Sequence, residues 1–161
     1  MFFCNFEQKS TLESLLSRYK LQINWIKDDN SPIPGSWFGE PEAGIIKNQL
    51  YVRRDTPVHS ALHESCHYIC MDTLRRQNLN TDAAGGYDEE NSVCYLQILL
   101  ADYLPEMDQE SMMHDMDEWG YTFRLGSAKR WFNEDAEDAR EWLFKHNLIN
   151  LNNKPTFKLR Q

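Results

Sequence analysis

The sequence predicts a single α+β domain over residues 1–161, with a small antiparallel sheet packed beside a mostly helical body. Segments with strand character lie before residue 53, and stretches with helical spacing of apolar residues fill most of the remainder. Hydrophobic residues make up 41% of the chain and charged residues 26%, which is ordinary for a globular domain large enough to bury a core.

The first elements follow from short-range patterns. Residues 9–20 predict an amphipathic helix, because leucine and tyrosine recur on one side of it. Residues 21–26 predict a short strand in which apolar residues partly alternate. Residues 45–52 predict two strand segments around a polar turn, which together make a hairpin or a bent strand.

Between these strands, residues 28–44 are rich in Pro, Gly, Asn and Asp, which indicates a long surface loop. The loop contains Trp37 and Phe38. Large aromatic side chains are usually covered in a folded domain, so we expect both to pack the loop onto the body of the protein; the alternative is that they border a cleft.

A longer helix is predicted next. Thr56 can cap its N-terminus and Pro57 can be its first residue, and neither Pro nor Gly interrupts residues 58–78. We therefore expect one helix of four or five turns. His59 lies in its first turn, where a polar side chain normally faces solvent, and we expect His59 at the surface. The alternative is that it borders a functional cleft or hydrogen-bonds a neighbouring site residue.

The second half of the chain is predicted to be helical. Asp88 is a natural N-cap for a helix over residues 89–104, which Pro105 ends. Further helices are predicted over residues 108–119, 127–132 and 134–148, and the last ten residues are expected to form an extended tail.

The helix after Pro57 carries the chemistry. His63 and His67 are four residues apart, so both imidazoles lie on one face and can reach one metal ion. Glu64 is offset by about 100° from His63, which puts its carboxylate beside the ion rather than on it. This is the H-E-x-x-H pattern of zinc hydrolases, in which the carboxylate takes a proton from metal-bound water.

A catalytic zinc ion usually has a third protein ligand and an open position for water. Glu89 and Glu90 begin the next predicted helix, at a suitable distance along the chain. Helical phase directs Glu89 into the apolar side of that helix, where a carboxylate is costly unless it is paired or binds a metal. We therefore predict His63, His67 and Glu89 as ligands of one zinc ion per chain, with Glu90 as the alternative third ligand.

A strand, a helix with this motif and a second helix that offers Glu together resemble a compact gluzincin-type metallopeptidase domain. The resemblance is nearest to the ImmA/IrrE-type bacterial peptidases and covers about residues 44–105. It implies a zincin-like fold with the motif helix at its centre. It also implies hydrolysis of a peptide bond by a metal-activated water, with Glu64 as general base.

The resemblance implies a peptide or protein substrate, which can be one dedicated partner protein. The oxyanion formed during hydrolysis needs a further donor, for which the sequence offers Tyr87, Tyr95, Tyr121 and His114. A metal-dependent hydrolase acting on a non-peptide amide is a further alternative.

Charge and composition narrow the remaining functions. A formal net charge of −8 argues against binding to nucleic acid. No stretch approaches the roughly 20 apolar residues that cross a bilayer, and the first residues lack a signal-peptide pattern, so we expect a cytoplasmic protein with no membrane partner. The four cysteines are then expected to be free thiols.

The alternative to an enzyme is a non-catalytic zinc-binding or protein-interaction domain on the same scaffold. The Met-rich segment 107–116 and the aromatic residues that follow it could supply an interaction surface, although such residues are usually core. Glu64 favours the enzyme, because a purely structural zinc site needs no general base and is closed by four protein ligands.

Overall fold

The computed structural model describes residues 1–5, 7 and 9–161, and within this part of the chain about 46% is helical. The described residues form seven α-helices and one three-stranded sheet, which confirms the α+β class. The helices are α1 (Lys9–Ser17), α2 (Val58–Cys70), α3 (Thr73–Asn78), α4 (Tyr87–Ala101), α5 (Gln109–Trp119), α6 (Ala128–Glu134) and α7 (Glu137–Lys145). The strands are β1 (Gln22–Ile26), β2 (Gly44–Ile46) and β3 (Gln49–Arg53).

The sheet is mixed rather than antiparallel, which corrects the sequence-based prediction. Its order is β1-β3-β2, with β2 antiparallel and β1 parallel to the central strand β3. A two-residue turn at Lys47 and Asn48 forces β2 and β3 to run in opposite directions. The stretch between β1 and β3 is long enough to return the chain to the same end of the sheet, so β1 and β3 pair in parallel.

The predicted helix over residues 58–78 is divided in two. Helix α2 ends at Cys70, and α3 begins at Thr73 with Asp72 as its N-cap. The Asp72 carboxylate accepts a hydrogen bond of 2.9 Å from the amide of Arg75. The prediction was wrong because the helical pattern continues through Asp72 without Pro or Gly, whereas Asp72 caps the start of a new helix.

Helix α2 is the centre of the molecule. Every residue in it except His63 is buried. It packs on α4, on the sheet and on α5, and its small side chains Ala61, Ser65 and Cys66 are almost completely inaccessible to solvent. Small side chains let the neighbouring elements approach α2 closely, so the motif is fixed on a rigid, buried element.

Helix α4 starts at Tyr87, two residues before its predicted beginning, and this places both Glu89 and Glu90 in its first turn. Helix α5 matches its predicted range and begins after Asp108, whose carboxylate accepts a hydrogen bond of 2.7 Å from the Ser111 amide. No helix in the described residues is long and apolar enough to cross a membrane.

The end of the chain returns to the motif helix. After α7 the chain makes turns and an isolated bridge between Ile149 and Pro155, and the amide of Arg160 then donates a hydrogen bond of 3.1 Å to the carbonyl oxygen of Ile69 in α2. This contact brings Arg160 next to the first turn of α4, where the candidate third ligands lie.

Candidate metal centre

The two motif histidines converge. One turn of α2 separates His63 from His67, and their Nε2 atoms lie 3.1 Å apart with the two rings perpendicular. Burial lowers the pKa of His67 to about 3, so its imidazole is neutral. Neutral imidazole is the form that binds metals.

Glu90 completes the cluster from the first turn of α4. Its Oε1 lies 3.3 Å from the Nε2 of His63, and its Oε2 lies 3.4 Å from the Nε2 of His67. One carboxylate therefore faces both imidazoles. Two nitrogens and two oxygens that converge in this way match the donor set that zinc prefers.

Glu89 takes a different position, against the preference that helical phase gave it. It is buried, as the phase argument predicted, but its Oε2 is 2.8 Å from an Nη atom of Arg75 and 3.0 Å from one of Arg160. These two guanidinium groups offset the cost of burying the carboxylate. The structure thus brings the alternative residue, Glu90, to the histidines.

Sequence reasoning missed Gln97, which orients His63. The Gln97 amide nitrogen donates a hydrogen bond of 3.0 Å to the carbonyl oxygen of His59, so its Oε1 faces the Nδ1 of His63, 3.0 Å away. In neutral His63 the Nδ1 proton is then donated to Gln97, so Nε2 is the nitrogen that offers a lone pair towards His67 and Glu90. Gln97 follows Glu90 by seven residues on the same side of α4, and that spacing was a usable signal.

The arrangement fits a cation. Two imidazole nitrogens face each other at 3.1 Å with a carboxylate across from both. A positive charge between these atoms satisfies lone pairs that would otherwise oppose one another. A proton on the Nε2 of His63, whose pKa is raised well above its ordinary value, is one such charge, and a metal ion is another. Among the described residues, the cluster contains three potential ligands, and the one other such group, on α5, is His114, Asp115 and Glu118.

Glu64 stands beside the cluster rather than in it. Its side chain is buried, and burial raises its pKa to about 7. It lines two adjoining cavities, of about 300 and about 560 Å³, which also share Phe38, His63 and Glu90. The four shared residues put the candidate metal centre where the two cavities adjoin, and the two together are called the cleft.

The aromatic loop borders this cleft. Trp37 is 58% exposed and Phe38 is 78% exposed, and both line the cavity wall. The expectation that they pack down onto the body was wrong. The loop is anchored elsewhere, through a buried Ile33 and a bridge between Ser36 and Gly44, which leaves the two aromatic rings free at the rim.

His59 is buried, which corrects its predicted surface position. Its Nδ1 lies 3.3 Å from the hydroxyl of Tyr121, and its ring packs against Trp119 at 5.1 Å. The end of α5 and the residues after it cover the start of α2, so the first turn of that helix has no solvent-facing side. Burial lowers the pKa of His59 to about 4.

Two of the four candidate oxyanion donors line the cleft, and the other two lie outside it. Tyr121 lies in the cleft with its ring edge-on to His63 at 5.5 Å, and Tyr87 lines the same cavity from an exposed position. Tyr95 accepts a hydrogen bond of 2.8 Å from Asn153 and stacks on Phe132, outside the cleft. His114 is exposed and belongs to the group with Asp115 and Glu118 on α5. Tyr121 is the candidate nearest the histidines.

No family model matches the chain, and no curated protein or solved structure matches it significantly. The geometry of the site is therefore the basis for assigning a function.

Proposed function

We propose that the chain is a zinc-dependent metallopeptidase with a zincin-like arrangement, in which His63, His67 and Glu90 bind the ion and Glu64 is the general base. The observation that supports this most directly is the convergence of two Nε2 atoms and one carboxylate within 3.4 Å at the junction of an open cleft. A cleft on both sides of the site suits an extended substrate that passes across it.

Each residue has a distinct role in the proposed reaction. When bound, zinc supplies Lewis acidity, which lowers the pKa of a coordinated water towards about 7. Glu64 accepts a proton from the attacking water and delivers it to the leaving amine. Tyr121, whose ring borders the cleft beside His63, donates a hydrogen bond to the oxyanion of the tetrahedral intermediate.

A peptide or protein is the proposed substrate, and the exposed aromatic rings of Trp37 and Phe38 provide apolar area at the rim for its side chains. These features of the cleft suit a single dedicated partner protein as well as a range of peptides.

The first test is metal content. Protein purified without chelators is expected to contain about one zinc ion per chain when measured by inductively coupled plasma mass spectrometry. Removing the metal is expected to lower the thermal midpoint, and restoring zinc is expected to raise it. The corresponding gain in the free energy of unfolding is up to about 4 kcal/mol at a thousandfold excess of zinc over Kd. Absence of zinc, together with no thermal response to added zinc, would contradict the proposal.

A second prediction concerns Gln97. Gln97→Leu keeps the side-chain volume but removes the group that fixes His63, so zinc affinity is expected to fall about 10- to 100-fold in a chelator competition assay. Ser65→Ala is the matched control, because Ser65 is buried on α2 and bonds only the Ala61 carbonyl oxygen. Equal affinities in the two variants would show that Gln97 does not orient a ligand.

A closed, non-catalytic zinc site is the second candidate function. The thiol of Cys94 lies beside His63, one turn after Glu90 on α4. As a fourth ligand it would close the site in the manner of structural zinc. The three-ligand cluster does not include Cys94, which favours the open site. The two candidates differ in hydrolysis, which only an open site supports.

A further inference from the structure

A second concave surface lies where the ends of α1, α2 and α7 meet the start of α3 and the C-terminal tail. This basic cavity has a volume of about 1010 Å³. Its cationic lining residues are Arg18, Lys20, Arg76, Lys145, Lys158 and Arg160. No Asp or Glu lines it within the described residues, although the chain has 25 acidic residues against 17 basic ones.

Two of the six cations are engaged by the fold. Arg76 donates hydrogen bonds of 3.0 Å to the carbonyl oxygen of Tyr68 and 2.7 Å to that of Met71. Arg160 pairs with Glu89. Their contacts hold the tail against α2 and α3 and so form one wall of the basic cavity.

The other four cations are available. Arg18, Lys20, Lys145 and Lys158 are exposed, and none pairs with a carboxylate in the part of the chain that the structure describes. The guanidinium carbon of Arg18 lies 3.1 Å from the centroid of the Phe157 ring, and this contact does not neutralise its charge. Four uncompensated positive charges around one concavity produce a local field opposite in sign to that of the whole protein.

Helix dipoles account for part of this arrangement. Lys145 lies in the last turn of α7, and Arg18 and Lys20 follow the end of α1, where positive charge is favoured. This effect explains each residue singly. It explains neither Lys158 in the extended tail nor the absence of acidic residues around a cavity in an acidic protein.

The backbone around the cavity disfavours a phosphate group as its ligand. Phosphates are held by helix N-termini or glycine-rich loops, whereas α1, α2 and α7 all present their C-termini here. The start of the short helix α3 is already capped by the Asp72 carboxylate, a negative group. The four cations come from three different elements, so several carboxylates spread along a polypeptide can each pair with one of them. The cavity volume is also at the upper limit for small-molecule sites.

We propose that the basic cavity is a docking site for an acidic segment of a protein partner. It shares no lining residue with the cleft at His63, Glu64 and Glu90, so the proposal stands whether or not the chain is a peptidase. Binding is electrostatic and therefore weakens as ionic strength rises.

The test uses the full chain and a short fluorescein-labelled peptide rich in Asp and Glu, with a Lys-rich peptide for comparison. At low salt we expect the acidic peptide to bind and the Lys-rich peptide not to bind, as measured by fluorescence anisotropy. A triple variant of the basic cavity is expected to bind the acidic peptide at least about tenfold more weakly; it combines Lys20→Glu, Lys145→Glu and Lys158→Glu. The matched control combines Lys27→Glu, Lys47→Glu and Lys154→Glu, which gives the same net charge from exposed lysines outside the basic cavity and should change the affinity less than about threefold.

Hydrogen exchange on the unmodified protein provides a second measurement that depends on no variant. Residues 157–161 are expected to gain protection when the acidic peptide is bound. Three results would each overturn the proposal. The first is equal weakening of peptide binding in the two triple variants, and the second is no binding of the acidic peptide at low salt. The third is that inorganic phosphate and ATP bind and the peptide does not.

Discussion

Glu64→Gln is expected to retain one zinc ion per chain while hydrolysis falls by about 10²- to 10⁴-fold. Glutamine has the same size and shape as glutamate but cannot accept the proton of the attacking water. Glu64 is not among the three residues whose donor atoms converge, so the substitution leaves the ligand set intact. Zinc content and turnover of internally quenched peptides of mixed sequence measure the two effects separately.

Asp82→Asn is the matched control for that experiment. Asp82 lines the same cleft, and its Oδ1 accepts a hydrogen bond of 2.8 Å from the amide of Ala84, which asparagine can also accept. Activity and zinc content are expected to stay close to those of the unmodified protein. If Glu64→Gln lost zinc together with activity, Glu64 would have a structural role and the proposed general base would be wrong.

The class of the fold and its principal helices could be predicted because periodicity and caps are local signals. The predicted helix over residues 108–119 corresponds to α5, which starts one residue later. The parallel pairing of β1 with β3 could not be predicted, since it depends on the path of a long loop. The division between α2 and α3 was missed although its signal, Asp72, is present in the sequence.

The site could be predicted as far as one helix determines it. The spacing of His63 and His67 placed both imidazoles together, because four residues make about one turn of a helix. The choice between Glu89 and Glu90 depended on what faces each side of α4. Arg160 is 71 residues from Glu89 in the chain, so nothing local could show that this arginine neutralises the buried carboxylate. His59 was misplaced for the same reason, since Trp119 and Tyr121 cover it from a distant segment.

Glu90→Gln is expected to weaken zinc affinity by about 10²-fold or more, because it removes one of three ligand groups and losing even an outer-shell partner costs about 10- to 100-fold. The metal-free protein should lose only a little stability, since the Glu90 side chain is 49% exposed and solvent screens its contacts with the two histidines. Chelator competition measures the affinity, and chemical denaturation in the presence of chelator measures the free energy of unfolding.

Glu89→Gln on the adjacent residue is the matched variant and should show the opposite pattern. It leaves Arg75 and Arg160 without their shared carboxylate, so the free energy of unfolding is expected to fall by about 2–3 kcal/mol, below the value for a fully buried pair because both arginines are partly exposed. Zinc affinity of the folded protein should change little. The reverse result, with zinc lost in Glu89→Gln and kept in Glu90→Gln, would make Glu89 the ligand and would mean that the first turn of α4 rotates when the ion binds.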